Sequence, residues 1–297
     1  MFQRVPAPEL RSVHDVRIRV ARAGFCRTDL HVARGRIACV PPRVLGHEVA
    51  GIVVEVGADV TRVTLGTRVA VMPLMPCGDC PGCRAHQLCL TPRMLGVDVD
   101  GGFAQAVIVP ESQVFPVPLE MSFERAAYVE PVAAAMAVLR SPIQPGTRGV
   151  VVGGGRIGEL TQRVLLSHGH RDFTVESVDG PRHAGVGMDW AIETTGTEAG
   201  ISLSLRSLRV NGTLVLKSRP PAPVPVDVSL AVRREISIHA VGYAPATDAI
   251  RLLGQAGFAV DDLFSDCHPL RAYAEVFAQA EHNEHGKVFF APCPELA

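Results

Sequence analysis

The hydrophobic pattern changes character part-way along the chain. Before Met121, short runs rich in β-branched residues alternate with Gly and Pro punctuation. Val16 to Val20 and Val49 to Val56 are two such runs. The stretch "VLGHEVAGIVVEVGADVTRVTLGTRVAVMP" reads as short strands and turns, and "GGFAQAVIVPESQVFPVP" continues it. The first part is therefore predicted to be an irregular β domain. From Met121 onward, "SFERAAYVEPVAAAMAVLR" is Ala-rich and predicted helical. "RGVVVGGGRIGELTQRVLLSHG" then combines a short apolar strand, a glycine turn and an amphipathic helix. "DFTVES", "MDWAIETT", "GTLVLKS" and "REISIHAV" are apolar runs of the kind that buried parallel strands carry, with the helix "TEAGISLSLRSL" between two of them. This is a βαβ array. The tail, "ATDAIRLLGQAG" and "LRAYAEVFAQAEHNEHGKVFFAP", is predicted as two helices and a final strand, with His282 and His285 in a solvated turn.

The array is short by one unit. Between "FTVES" and "MDWAIETT" lie only the ten residues "VDGPRHAGVG", with three glycines and a proline, a poor helix. Ten residues reach at most about 35 Å when extended. That is enough to pass one strand but not to build a βαβ unit of ~30 residues. The predicted α/β fold is a β domain plus a doubly wound parallel sheet of five strands, its third, edge strand deleted to leave the order 2-1-4-5-6.

Composition narrows the class. The 297 residues suggest two domains at ~150 residues each, and 47% hydrophobic residues let each bury a core. A formal net charge of −1 implies neither nucleic acid nor an acidic membrane surface as partner. "MFQRVPAPEL" has no apolar core of signal-peptide length, and no apolar run approaches the ~18 residues that span a bilayer. The expectation is a cytoplasmic protein. In that reducing compartment, clustered cysteines favour metal over disulfide. Lys217 and Lys287 are the only lysines.

Four of the eight cysteines stand in "PCGDCPGCRAHQLC". Two CxxC steps sharing a cysteine, plus a fourth thiol, can wrap one tetrahedral zinc through Cys77, Cys80, Cys83 and Cys89. Such a closed site has no open position for substrate, so the chemistry lies elsewhere. Cys39, Cys267 and Cys293 are expected to be unligated thiols, and Trp190 a core residue.

Gly153, Gly155 and Gly158 fit G-x-G-x-x-G after a strand and before a helix, the dinucleotide fingerprint. Glu176, at the end of the next strand, is the acid expected at the adenosine ribose, ahead of Asp179. Ser177 in that place would instead leave room for a 2′-phosphate, so NAD is favoured with NADP open. Lys217 ends a strand where ligands of open α/β sheets bind, and is a candidate cofactor or substrate contact.

In the first domain, "GFCRTDLH" groups Cys26, Arg27, Thr28, Asp29 and His31, "LGHEVAG" places His47 beside Glu48, and "YVEPVAAA" carries Glu130. Singly, Cys26 reads as a small buried hydrophobe, His47 as a core histidine and Glu130 as a helix N-terminal acid. Together, in this order and with the cysteine lobe and glycine fingerprint, they resemble the zinc-dependent medium-chain alcohol dehydrogenases over nearly the whole chain. The branch it looks closest to has a Glu as third zinc ligand, as in sorbitol- and threonine-dehydrogenase-like enzymes.

The resemblance implies a GroES-like catalytic domain, residues 1–132 and 244–297 with the zinc lobe at 76–90, and a Rossmann domain, residues 133–243. It implies two zinc ions per chain, with Cys26, His47 and Glu130 on the catalytic one and Glu48 close by. Asp29 would orient His47, and Arg27 would meet the cofactor diphosphate. Thr28 would take the substrate proton and pass it to His31. The implied reaction is hydride transfer between a hydroxyl or carbonyl substrate, a secondary alcohol of a polyol, cyclitol or amino alcohol, and NAD(P). A homodimer or homotetramer is implied. The alternative is a zinc-containing relative that has lost redox turnover. The cysteine lobe is about two residues shorter than usual before Cys89, and Thr67 stands where an Asp is common.

Overall fold

The computed structural model describes residues 2–85, 87–180, 185–280 and 286–296. The predicted turn at His282 and His285 lies outside the described residues. The chain divides into two compact units. One is the chain up to Glu130 together with the chain from Val260 onward; the other runs from Pro131 to Ala259.

The first unit begins with β1 (Asp15–Gly24), α1 (Arg27–Ala33), β2 (Glu48–Val56), β3 (Arg68–Val71), β4 (Leu74–Met75), α2 (Pro81–Arg84) and β5 (Arg93–Met94). β6 (Ala106–Pro110), β7 (Val114–Pro116) and α3 (Phe123–Ala127) follow. In β1 the period-2 pattern turns Val16, Ile18 and Val20 inward, fully buried, while Arg19 is exposed. These valines and isoleucine pack with Val49, Val53, Val69, Val71, Val107 and Val109 into one apolar core.

The second unit takes in most of α4 (Val129–Met136), then β8 (Gly149–Val152), α5 (Arg156–Ser167), β9 (Phe173–Glu176), β10 (Met188–Glu193) and α6 (Glu198–Ser207). β11 (Leu208–Leu216), α7 (Val228–Arg233), β12 (Ser237–Ala240) and α8 (Ala246–Leu253) complete it. Its sheet is five-stranded and parallel, ordered β12-β11-β10-β8-β9. The expected deletion is present: β9 is an edge, and no strand or helix is found among the described residues between Glu176 and Met188. Val178, in that connection, packs against the core formed by Val150, Val152, Leu205 and Leu214. Trp190 is buried as expected, its indole N–H donating to Thr147 Oγ1 at 3.2 Å.

The tail returns to the first unit with β13 (Phe264–His268), α9 (Tyr273–Gln279) and β14 (Lys287–Phe290). β14 pairs antiparallel with β1, giving a seven-stranded sheet ordered β13-β14-β1-β2-β3-β7, with β6 also on β1. Thus the carboxy-terminal strand completes the amino-terminal sheet. No helix among the described residues is long and apolar enough to cross a membrane.

Candidate active site

Cys26 is the N-cap residue of α1, and Asp29 lies in the first turn. The Asp29 carboxylate is almost fully buried and serves three donors. It accepts from the Cys26 amide at 2.9 Å, from the Gly46 amide at 3.0 Å and from His47 Nδ1 at 3.3 Å. One side chain therefore ties the turn that carries Cys26 to the segment that carries His47. Donation through Nδ1 leaves the Nε2 lone pair of His47 for a metal. Burial alone would lower the pKa of His47, but the charges of Asp29 and Cys26 outweigh it and hold the ring well above its ordinary value. The same field favours a metal cation.

Cys26, His47 and Glu48 bring their ligand atoms within 4.8 Å of one another. Glu130, buried in the first turn of α4, is outside that group. The Thr28 hydroxyl accepts from Cys26 Sγ at 3.8 Å, so it stands beside the cluster. His31 is partly buried, with Nδ1 unpartnered among the described residues. Arg27, Leu30, His31, Arg36 and Ala280 line a cavity of about 220 Å³. Burial first, then the cations Arg36 and Arg27, lowers the pKa of His31, which keeps it neutral at pH 7.

Sequence reasoning missed Lys287. Its ammonium pairs with Glu48, both side chains buried, and donates to the Phe25 carbonyl at 3.0 Å. The only available signal was composition: it is one of two lysines in a chain that otherwise uses Arg.

The four clustered cysteines, all in the stretch between β4 and β5, converge. Their Sγ separations are 3.5 Å for Cys77–Cys89 and 3.9 Å for both Cys77–Cys83 and Cys80–Cys89. A disulfide needs about 2.05 Å. Four thiolates at about 2.3 Å from one zinc stand about 3.8 Å apart, so the quartet fits a tetrahedral ion. Amides of Cys80 and Asp79 hold the Cys77 thiol down to about 6, whereas loss of solvent and the neighbouring sulfurs push Cys83 up to about 12. Cys39, Cys267 and Cys293 are free thiols.

In the second unit the glycine turn connects β8 to α5, with Gly155 as N-cap. Gly153 has φ +114°, and a Cβ on Gly158 would lie 1.9 Å from the Gly153 carbonyl oxygen, so both positions demand glycine. A Cβ on Gly154 or Gly155 would meet nothing within 4 Å, so this backbone is open to a diphosphate at the helix N-terminus. The Gly153 amide donates to the Glu176 carbonyl at 2.8 Å, which sets the end of β9 beside the loop; the Glu176 side chain is buried, and Ser177 and Asp179 are exposed. Glu193, fully buried at the end of β10, accepts from the Gly196 amide at 2.8 Å, from the Thr195 hydroxyl at 2.6 Å and from Ser218 Oγ. Beside it, Thr194 Oγ1 donates to the Val152 carbonyl at 2.8 Å and stiffens the loop against Gly153.

Residues 12–119 match the alcohol dehydrogenase GroES-like domain. The 2-dehydro-3-deoxy-L-galactonate 5-dehydrogenase of Pseudoalteromonas atlantica is 27% identical, across 94% of this chain and 92% of the relative. Sorbitol dehydrogenase of Bacillus subtilis is 29% identical across 81% and 78%. The crystal structure of a Sinorhizobium meliloti protein classed as a zinc-binding dehydrogenase and bound to NADP superposes with a TM-score of 0.87 at 28% identity, across 97% of this chain and 94% of that one. 2R,3R-butanediol dehydrogenase of Bacillus subtilis gives 0.85 at 25%, across 98% and 95%. Over nearly its whole length the chain is thus similar to dehydrogenases, and its residues 12–119 carry their GroES-like domain.

Proposed function

We propose that this protein oxidises a secondary hydroxyl of a polyol-type substrate, or reduces the matching carbonyl, with zinc and NAD or NADP. The observation that carries this reading is the Asp29 carboxylate joining Cys26 and His47 into a metal-capable group beside the Thr28 hydroxyl. Bound zinc supplies Lewis-acid polarisation of the substrate oxygen, and bound nicotinamide accepts the hydride. The protein's own residues do the rest. Cys26 and His47 hold the ion with a carboxylate: Glu48 is gathered with them, and Glu130 is the ligand implied by resemblance. Thr28 takes the hydroxyl proton, and the neutral His31 receives it. Arg27 meets the diphosphate, with the Gly153 to Gly158 turn; Glu176 meets the ribose. Cys77, Cys80, Cys83 and Cys89 hold a second, closed zinc that stiffens its lobe.

The substrates named for the relatives, a deoxy sugar acid, sorbitol and butanediol, support a vicinal or polyhydroxy secondary alcohol. Self-association is part of the proposal. Val210, Val228, Val232 and Ile238 are exposed on and near β11, α7 and the edge strand β12. Sedimentation should give a dimer or tetramer.

The deciding experiment is zinc analysis and reduced-nicotinamide formation on a polyol panel with the zinc-reconstituted protein. Two zinc ions per chain and turnover are expected. Glu48→Gln and Glu130→Gln then identify the third ligand, as the one that lowers affinity at the Cys26 site more. Failure to bind either nicotinamide cofactor would favour a non-redox zinc enzyme or binding protein.

A further inference from the structure

Lys217 and Arg219 flank Ser218 just beyond the carboxyl end of β11. Lys217 is 94% buried by its 6% exposure, and its Nζ donates to the Gly242 carbonyl at 2.9 Å. Both cations address one aromatic ring. Lys217 Nζ lies 5.8 Å, and the Arg219 guanidinium carbon 5.1 Å, from the centre of the Tyr243 ring. A third cation, Arg140, donates to the Tyr243 carbonyl at 3.0 Å. Glu193 accepts from Ser218 Oγ with one carboxylate oxygen, and its other oxygen is already taken by Thr195 and Gly196. Arg219 is exposed and has no ion-pair or hydrogen-bond partner among the described residues. Tyr243 supplies a ring face that holds a guanidinium without neutralising it.

Position in the sheet says what such a charge faces. Open parallel sheets bind ligands beyond the carboxyl ends of their strands, with a dinucleotide laid across the switch point. Here the switch point is between β8 and β10 in the order β12-β11-β10-β8-β9. β9, with Glu176, belongs to the half that takes adenosine; β10, β11 and β12 belong to the half that takes the nicotinamide. A molecule exchanging hydride must lie against the nicotinamide ring, so the cations at the end of β11 are on the reactant's side.

We propose that Lys217 and Arg219, seated on Tyr243, form an anion-binding subsite, so that the physiological substrate is a polyol carrying a carboxylate or a phosphate monoester. This rests on the dehydrogenase reading above and specifies its substrate class. A phosphate of the cofactor carries the same chemistry, and the two sources separate in the experiment.

The test compares matched pairs that differ in charge: galactitol with galactitol 1-phosphate, sorbitol with sorbitol 6-phosphate, and L-iditol with L-idonate, each with NAD and with NADP. The parent should favour the charged members by about tenfold or more in kcat/KM, the scale of one contact to a charged group. Arg219→Ala should remove most of that preference through KM, leaving kcat, the neutral polyols and the cofactor KM unchanged; Arg219→Glu should reverse it, and Arg219→Lys should keep part of it. Independently of turnover, a charged member should raise the melting temperature of the parent more than its neutral partner, and Arg219→Ala should abolish the difference. Equal or better use of neutral polyols by the parent, or an Arg219→Ala effect equal on both members of a pair, overturns the subsite. A rise confined to the KM of NAD or NADP assigns the cations to the cofactor and also overturns it. Absence of turnover with every polyol and both cofactors overturns the dehydrogenase reading instead, and the melting shifts then report on the subsite alone.

Discussion

The two metal-capable clusters of the first unit are built in opposite ways. The cysteine quartet comes from one continuous stretch, Cys77 to Cys89, near the surface, and every donor is the same kind of atom. The other cluster joins the N-cap of α1 to the start of β2, holds its His and Glu at 2% exposure, and mixes thiol, imidazole and carboxylate. Four thiolates complete a tetrahedron and leave no place for a reactant. The mixed cluster needs the whole sheet to form: β14, from the far end of the chain, brings Lys287 against Glu48. A site read from local spacing stiffens a lobe; a site that depends on distant segments can be positioned and charged for chemistry.

Exchanging one sulfur in each cluster gives the largest expected effects. Cys26→Ser should abolish turnover, with one zinc lost and the melting temperature nearly unchanged. Cys80→Ser should also lose one zinc but should lower stability and solubility while part of the activity survives. Zinc content, melting curves and initial rates on both variants check this. A stable, inactive Cys80→Ser beside an active Cys26→Ser would invert the assignment of the two clusters.

Lys287→Met sharpens the same contrast from the mixed cluster's side. It leaves the Glu48 carboxylate buried without its ion-pair partner, and breaking such a pair typically costs about 3–5 kcal/mol. The double variant Lys287→Met, Glu48→Gln should recover much of that loss, because neither charge then remains buried alone. Chemical denaturation of the parent, both single variants and the double variant measures the coupling. Simple additivity would show that the pair is energetically idle.

This asymmetry also explains what could be read from sequence. The quartet was legible because its spacing is the structure: two shared CxxC steps close on themselves. The five-stranded sheet was legible because the eleven residues between β9 and β10 cannot hold a further strand and helix. Period-2 burial in β1 and near-continuous apolar runs in β8 and β10 gave their strands directly. β13, "FSDCH", was not legible: it is a half-exposed strand with no apolar run, and its pairing with β14 supplies what its sequence lacks. Lys287 could not be placed on Glu48 because 239 positions separate them, 287 less 48, and only the closing of β14 on β1 brings them together. Glu193 was hidden in an apolar run, where its acid reads as a strand end and not as the anchor of the next turn.

Within the mixed cluster, Thr28 and His31 should differ in weight. Thr28 stands beside Cys26, whereas in the proposed relay His31 is the outer member, which water can replace. Thr28→Ala should lower kcat by about 10²–10⁴-fold, the usual range for a positioned proton-transfer group, and His31→Ala by less. Steady-state kinetics on both variants checks the order. Parent-like turnover in Thr28→Ala would remove that hydroxyl from the reaction.

The smallest effect concerns the pH at which the relay fails. The pKa of His31 is lowered first by burial and then by Arg36 and Arg27, so the ring sheds its proton below the ordinary histidine value of about 6.5. Alcohol oxidation needs a neutral imidazole to receive the proton, since a ring already protonated cannot take another. The acid limb of the oxidation rate should therefore lie below about pH 6.5. Arg36→Ala removes one of the opposing cations, so His31 should become easier to protonate and the limb should move up. Added salt should move it the same way in the parent, because Arg36 is exposed and its field is screened. In Arg36→Ala the salt effect should shrink. His31→Ala should remove the limb. The quartet has no histidine among its ligands, so Cys80→Ser should leave the position of the limb alone and change only the amplitude of the profile. A limb that stays in place in both Arg36→Ala and His31→Ala would belong to another group and would take His31 out of the proton path.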